Sequence, residues 1–198
     1  MKFQSEPSTS AGEFFELIKK SGYSWPAKIE GLEKPNGFTV PQGTTVLAFH
    51  FKGGIIVAGD RRATAGNSIM YELCDKVIPI DNFTLMAIAG VPATAFEMAR
   101  VLSHNFEYFR RSQLQPMSVE GKIRALSKLL KENVGMAVQG LGVVSPIFAA
   151  YDKSQGKASI HFYDMLGADF RIQTHTATGS GSQTVTYTQL TLPTILIV

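Results

Sequence analysis

The sequence predicts an α+β fold of antiparallel sheets with helices packed on an outer face. Two observations predict it: the order of the elements, and the turn signals that separate them. Short β-rich runs come first, two amphipathic helical segments follow, and strands then return. Blocks of this kind do not suggest alternating βαβ units around a parallel sheet. No internal repeat is visible.

Each element has its own signal. Thr45–Phe51 and Ile55–Gly59 are β-rich and separated by Lys52-Gly53-Gly54, a hairpin signal. Lys76–Ile80 and Phe83–Ala89 repeat the arrangement around Asp81-Asn82. In the first helical segment Ala95, Met98, Ala99, Leu102, Phe106 and Phe109 recur at steps of three and four. In the second, Ser118 is the N-cap candidate, and Val119, Ile123, Leu126, Leu130 and Val134 line one face. Three strands close the series: Pro146–Tyr151, Ala158–Met165 and Phe170–Ala177. The predicted order is four strands, two helices and three strands.

The 198 residues suffice for one domain with an appendage, and 44% hydrophobic residues allow a sizeable core. No run approaches the ~18 apolar residues of a membrane helix. The start, MKFQSEPSTSAGEFF, lacks the apolar core of a secretory signal, so a cytoplasmic protein is expected. Cys74 is the one cysteine, in keeping with a reducing compartment. The net charge of +3 forms no long basic run, which argues against nucleic acid or an anionic membrane as partner.

Two stretches differ from the body. Residues 1–43 carry five Lys and five Glu, turn-rich punctuation, and one apolar patch of Phe14, Phe15, Leu17 and Ile18 suited to a short helix. They read as a leader or pro-segment, and 44–182 as the main domain. Residues 172–198 contain no Asp, Glu, Lys or Arg, and eight of these 27 residues are threonine. The end from residue 183 reads as an atypical, β-prone tail.

The chemistry begins at Gly43-Thr44-Thr45. A cut before Thr44 would leave a hydroxyl and a free α-amine on one residue. That amine titrates near ~8, so much of it can accept a proton at neutral pH. The base is then built into the nucleophile's own residue. Gly43 permits the tight turn that self-cleavage needs. Asp60 ends the second strand, and a hairpin would bring it beside Thr44. Lys76 begins the third strand; near the nucleophile it would favour the deprotonated form, with a carboxylate to orient it. On spacing alone the same residues also fit a strand start, a turn aspartate and a solvated edge lysine. The histidines at 50, 104, 161 and 175 are scattered, so no metal or organic cofactor is implied.

The stretch GTTVLAFHFKGGIIVAGDRRATAGN, then Lys76-Val77, Ile88-Ala89-Gly90 and Thr178-Gly179-Ser180-Gly181-Ser182, resembles proteasome core-particle β subunits of the bacterial type. The likeness runs from Gly43 to about Ser182. It implies a four-layer αββα sandwich, the fold of N-terminal-nucleophile hydrolases, here with an incomplete C-terminal part. It implies a threonine peptidase made as a zymogen, with Thr44 the nucleophile, Asp60 and Lys76 its support, and autocatalytic cleavage between Gly43 and Thr44. Arg62 falls close to the active centre, and Ser180 near the terminal amine. Thr64 and Gly90 match positions whose backbones pair with extended substrate, the Gly90 amide being the oxyanion donor. Ala63, Cys74, Ile78, Ile88 and Pro92 fall where the family's specificity pocket is lined; for Cys74 a small buried hydrophobe is an equal reading. Implied partners are identical β subunits in a ring, α-type subunits, a regulatory ring ATPase and unfolded protein substrates.

The family pattern is not followed to the end. Its later helices and strands, and an Asp and second Ser completing the catalytic network, find no match after Asp169. A truncated or frame-shifted gene product is expected, one that does not assemble as written. Two other readings stay open: a non-catalytic scaffold subunit, and the simpler two-component bacterial threonine protease driven by a ring ATPase.

Overall fold

A computed structural model describes residues 11–22, 44–65 and 68–191 of the chain. After helix α1 (Ala11–Lys20) come β1 (Val46–Phe51), β2 (Gly54–Gly59), β3 (Ala63–Ala65), β4 (Ser68–Tyr71), β5 (Val77–Asp81) and β6 (Thr84–Ala87). Helices α2 (Pro92–Gln113), α3 (Val119–Glu132) and α4 (Val134–Val138) follow. The chain then forms β7 (Ile147–Asp152), β8 (Lys157–Tyr163), β9 (Asp169–Ile172), β10 (His175–Thr178) and α5 (Ser182–Thr191).

The strands form a five-stranded sheet ordered β5-β6-β7-β8-β9, a three-stranded sheet ordered β10-β1-β2, and the β3-β4 hairpin. Every pairing is antiparallel. Side-chain alternation along β7 shows how the layers stack. Ile147 points into a core shared with Val46, Ala48 and Ile160, between the two sheets. Phe148 points the other way, into a core with Leu102, Leu126, Leu130 and Tyr163 beneath α2 and α3. Burial on both faces is why this strand reads as an unbroken apolar run. Each such side chain contributes about 1.5–3 kcal/mol by leaving water. The layers therefore run helices, five-stranded sheet, three-stranded sheet, with α5 against β10 and β1.

The capping prediction at α3 corresponds to an observed bond: Ser118 Oγ accepts from the Gly121 amide at 3.1 Å. On the same helix Lys122 is buried, donating to Asp81 Oδ2 at 2.6 Å and to Thr84 Oγ1 at 3.0 Å. The pair ties α3 to the β5–β6 turn.

The structure corrects four element expectations. Phe170–Ala177 is two strands, not one. β9 pairs with β8, while β10 crosses to β1 in the other sheet. The break at Gln173-Thr174 carries no Gly or Pro to announce it. The β3-β4 hairpin was not expected, because all four β4 residues are exposed and show no alternation. Val134 does not continue the apolar face of α3; it opens α4 after the cap at Asn133. The β-prone tail is helical from Ser182 to Thr191. Its first turn is closed locally, the Ser182 amide donating to Gly179 O and the Val185 amide to Gly181 O, and the helix packs against β10 and β1. Context here overrides the weak helix propensity of threonine. Residues 192–198 of that tail, and Gly43 with 23–42 of the leader, lie outside the described residues.

Candidate active site

One end of the sandwich collects the start of β1, the ends of β2 and β10, and the start of β5. The antiparallel register does this directly: Val46 pairs with Gly59 on one side and Thr178 on the other. Residues just outside those pairs, Thr44-Thr45, Asp60 and Gly179-Ser180, must then meet.

They meet through hydrogen bonds. The Asp60 amide donates to Thr45 O at 3.0 Å, and the Thr45 amide donates to Asp60 Oδ1 at 2.6 Å. Asp60 Oδ2 accepts from Lys76 Nζ at 2.7 Å and from the Arg62 amide at 3.1 Å. Lys76 Nζ also donates to the Arg62 carbonyl at 2.6 Å. Lys76 is 5% exposed, whereas Asp60 keeps about a third of its side chain in water (36%). One carboxylate thus fixes the backbone beside Thr44 and the ammonium facing the same cleft. Its burial gives that ammonium few alternative positions.

Lys76 belongs to the other sheet, and it is held in place by its backbone. Its carbonyl accepts from the Ile88 amide at 2.8 Å, tying it to the strand that leads to Gly90. Thr44, Thr64, Lys76 and Gly90 line one cleft of about 350 Å3 of empty space, its open mouth included. Ala63, Cys74, Ile88 and Pro92 complete its wall. Ile78, expected with them, does not line it; the residue packs against the core beneath the helices. Cys74 is buried at the cleft, so it is at once a small core residue and a lining one. Arg62 is exposed, and its recorded bonds in the network are made by its backbone amide and carbonyl. Ser180 Oγ donates to Thr44 O at 3.5 Å, a long contact from an exposed hydroxyl.

Two backbone features sharpen the cleft. Gly90 sits at φ +115°, and a Cβ there would stand 2.1 Å from Val143 O. Only glycine fits that backbone. Its neighbour Val91 caps α2, which runs 22 residues from Pro92. The amino end of this helix, with its partial positive charge, therefore borders the cleft. A partial positive end and a close-approaching backbone suit an oxygen that gains negative charge during reaction.

Gly179 is a site residue that sequence reasoning passed over. It lies at φ +98°, and a Cβ would come within 2.1 Å of Thr44 O. The backbone of the turn after β10 is thus the seat of Thr44. The Gly-Ser-Gly pattern was visible as a motif, but spacing does not say which of its atoms carries the load. Among the described residues no group of three or more His, Cys, Asp or Glu could hold a metal ion. No helix among them is long and apolar enough to cross a membrane.

Comparison with known proteins bears on this geometry. The family described as "Proteasome subunit" matches residues 40–188. The chain is 40% identical over 157 residues to a "Proteasome subunit beta" of Streptosporangium roseum, covering 79% of this chain and 55% of that protein. It is 38% identical over 147 residues to the protein of the same name from Acidimicrobium ferrooxidans, covering 74% and 54%. The figures for that of Streptomyces griseus subsp. griseus are 42% over 142 residues, 72% and 50%. The chain spans about half the length of the curated relatives it matches.

Proposed function

This chain belongs to the proteasome subunit family, and from that premise we propose that it is a β-type core subunit whose Thr44 hydrolyses peptide bonds after removal of residues 1–43. The observation that carries the reading is the meeting of Thr44, Lys76, Asp60 and Gly90 at one cleft. In the proposed reaction Thr44 Oγ attacks the scissile carbonyl carbon, and its proton passes to the freed α-amine, directly or through water. The carbonyl oxygen becomes an oxyanion facing the Gly90 amide and the amino end of α2. Collapse expels the amine, which takes up a proton, and leaves an ester on Thr44. Water then adds to the ester and releases the acid. Lys76 lowers the energy of the negative charge on the attacking oxygen, and Asp60 keeps Lys76 pointed at the cleft. Thr64 and Gly90 pair with an extended chain through their backbones. Ala63, Cys74, Ile88 and Pro92 favour an apolar side chain before the cut bond.

The same reading assigns the partners: identical β subunits in a ring, α-type subunits, a regulatory ring ATPase and unfolded substrates, in the cytoplasm. The primary test is the amino terminus of assembled protein. Sequencing should begin Thr-Thr-Val-Leu, and a threonine-directed covalent inhibitor should label that residue. A dominant terminus elsewhere refutes the cut site, and an unlabelled, assembled particle identifies a scaffold subunit.

Gly179 gives a second expectation. Gly179→Ala should push the Thr44 carbonyl aside, because Thr44 O lies where the methyl must go. A misplacement near 1 Å costs on the order of 100-fold in rate. Peptidase assays should show that loss while the folded content by circular dichroism stays near the parent's. Unchanged turnover would mean that the turn does not seat the nucleophile.

A further inference from the structure

A second cavity opens where α2, the start of α3 and the β5–β6 turn meet, and it shares no residue with the Thr44 cleft. It holds about 870 Å3 of empty space, its open mouth included, a size that takes a small molecule. Ser103 on its wall stands about 16 Å along α2 from Pro92 at the cleft, by the rise of a helix. Ile80, Phe83, Phe106, Pro116 and Met117 make the wall mostly apolar. Phe83, 44% exposed, carries that apolar wall out to solvent.

Four charged residues stand among these side chains: Asp81, Glu107, Arg110 and Lys122. As formal charges they cancel, but as hydrogen-bonding groups they do not. Every carboxylate oxygen is already engaged. Asp81 Oδ1 accepts from the Phe83 amide at 2.9 Å, and Oδ2 from Lys122 Nζ at 2.6 Å. Glu107 Oε2 accepts from Arg110 Nε at 2.8 Å, and Oε1 from Arg110 Nη2 and Arg111 Nε, both at 2.7 Å. The bonds from Arg110, then Arg111, hold the Glu107 carboxyl down at about 2, so at neutral pH it is ionised and donates nothing. Donors, by contrast, are in surplus. An ammonium has three N–H groups and a guanidinium five. Lys122 uses two, on Asp81 and on Thr84 Oγ1, and its Nζ lies 5.4 Å from the centroid of the Phe106 ring. The residue is 5% exposed, and a buried ammonium gains from one more acceptor. Arg110 uses two N–H groups on Glu107 and, 58% exposed, keeps the others for water or a ligand.

We propose that this cavity is a binding site for a small carboxylate with an aromatic or branched apolar body, its oxygens on Lys122 and Arg110 and its body against Phe83, Phe106 and Met117. A carboxylate brings acceptors and no donors, which complements a wall whose own acceptors are taken. Its bonds to an ammonium and a guanidinium belong to the strong, charge-assisted class. A neutral amide of the same shape brings donors to that wall and meets no free carboxylate oxygen. The required chemistry is that of a free aromatic acid, and also of a peptide end whose last residue is apolar.

Ligand-observed NMR titration of the full chain tests this with 3-phenylpropanoate, and with 3-phenylpropanamide as its neutral match. The acid should bind with a Kd of about 1 mM, ordinary for a ligand of that size, and the amide about tenfold more weakly. Ser103→Trp fills the cavity from α2 and should abolish binding of the acid. Arg110→Gln removes one cation at an exposed position; it should weaken the acid about threefold and leave the amide unchanged. Lys122 is kept in both proteins, because removing it strands the Asp81 carboxylate. Circular dichroism reports whether each variant keeps the parent's helix content, and Arg110→Gln decides if Ser103→Trp does not fold. Acetyl-Ala-Phe with a free terminal carboxylate separates the two sources: tighter binding than the acid identifies a chain end, weaker binding a free acid. Equal binding of acid and amide overturns the proposal, as does an acid Kd unmoved by the substitutions. Absence of acid binding at about ten times the expected Kd overturns it as well.

Discussion

Thr44→Ala is expected to abolish leader removal and peptide hydrolysis together, leaving a protein that carries residues 1–43 and has no measurable turnover. The substitution deletes one hydroxyl and one methyl and little else. Thr44 is tied to its surroundings by backbone: its carbonyl accepts from Ser180 and abuts Gly179, and the neighbouring Thr45 amide and carbonyl are paired with Asp60. Alanine keeps all of these contacts. The fold and the Lys76–Asp60 pair should therefore survive, and the loss should lie in the chemistry. Removing a nucleophile outright costs on the order of a millionfold in turnover. Intact mass reports the uncut leader, and a fluorogenic peptide assay reports the rate. Thr44→Ser supplies the control, because it restores an attacking oxygen on the same carbon and should recover cutting and hydrolysis in part. A Thr44→Ala chain that is cleanly cut at the same bond would move the nucleophile elsewhere.

Much of the fold was legible because its periods are strong. Phe106 and Leu102 mark the buried face of α2, and the Lys52-Gly53-Gly54 turn sets the β1–β2 hairpin. That hairpin alone brings Asp60 to Thr44, so half of the site follows from local sequence. Lys76 does not. It arrives from the second sheet through packing of Gly59 against it, where a Cβ on Gly59 would stand 3.5 Å from Lys76 Cβ. Nothing in the spacing of 44, 60 and 76 encodes that approach; only the resemblance suggested it. That Ile78 does not line this cleft has a related reason. Strand alternation puts residues 76 and 78 on one face, yet by 78 the helices cover that face and the cleft has ended. The Gly179 seat and the β9–β10 crossover are both long-range pairings of a segment with weak local signals, which propensity reads poorly. Helix α5 fails for the opposite reason: its threonines point to strand, and the turn before it starts a helix.

Lys76→Ala should lower turnover by about 100- to 1,000-fold in protein whose Thr44 is exposed. The argument starts from geometry. Lys76 is the cation of the cleft network, held by Asp60 Oδ2 and the Arg62 carbonyl, and only 5% exposed where it lines the cleft. Preorganised charge of this kind is worth roughly 3–4 kcal/mol to a transition state, which sets the expected loss. A stability effect accompanies it and is smaller. Breaking a fully buried pair costs about 3–5 kcal/mol, but Asp60 is 36% exposed and still holds the Thr45 and Arg62 amides. Solvent screening reduces the cost to roughly 1–2 kcal/mol. The two effects separate experimentally. Asp60→Asn keeps an acceptor but removes the negative charge that orients the ammonium, so it should lose less rate than Lys76→Ala at a similar melting temperature. Lys76→Arg should also be poor, since a planar guanidinium cannot occupy a pocket shaped for a compact ammonium donating to two oxygens. Rates are compared after amino-terminal sequencing shows the same exposed Thr44 in each protein. Near-parent turnover in such a Lys76→Ala protein would remove Lys76 from the mechanism and leave it a structural tie between the two sheets.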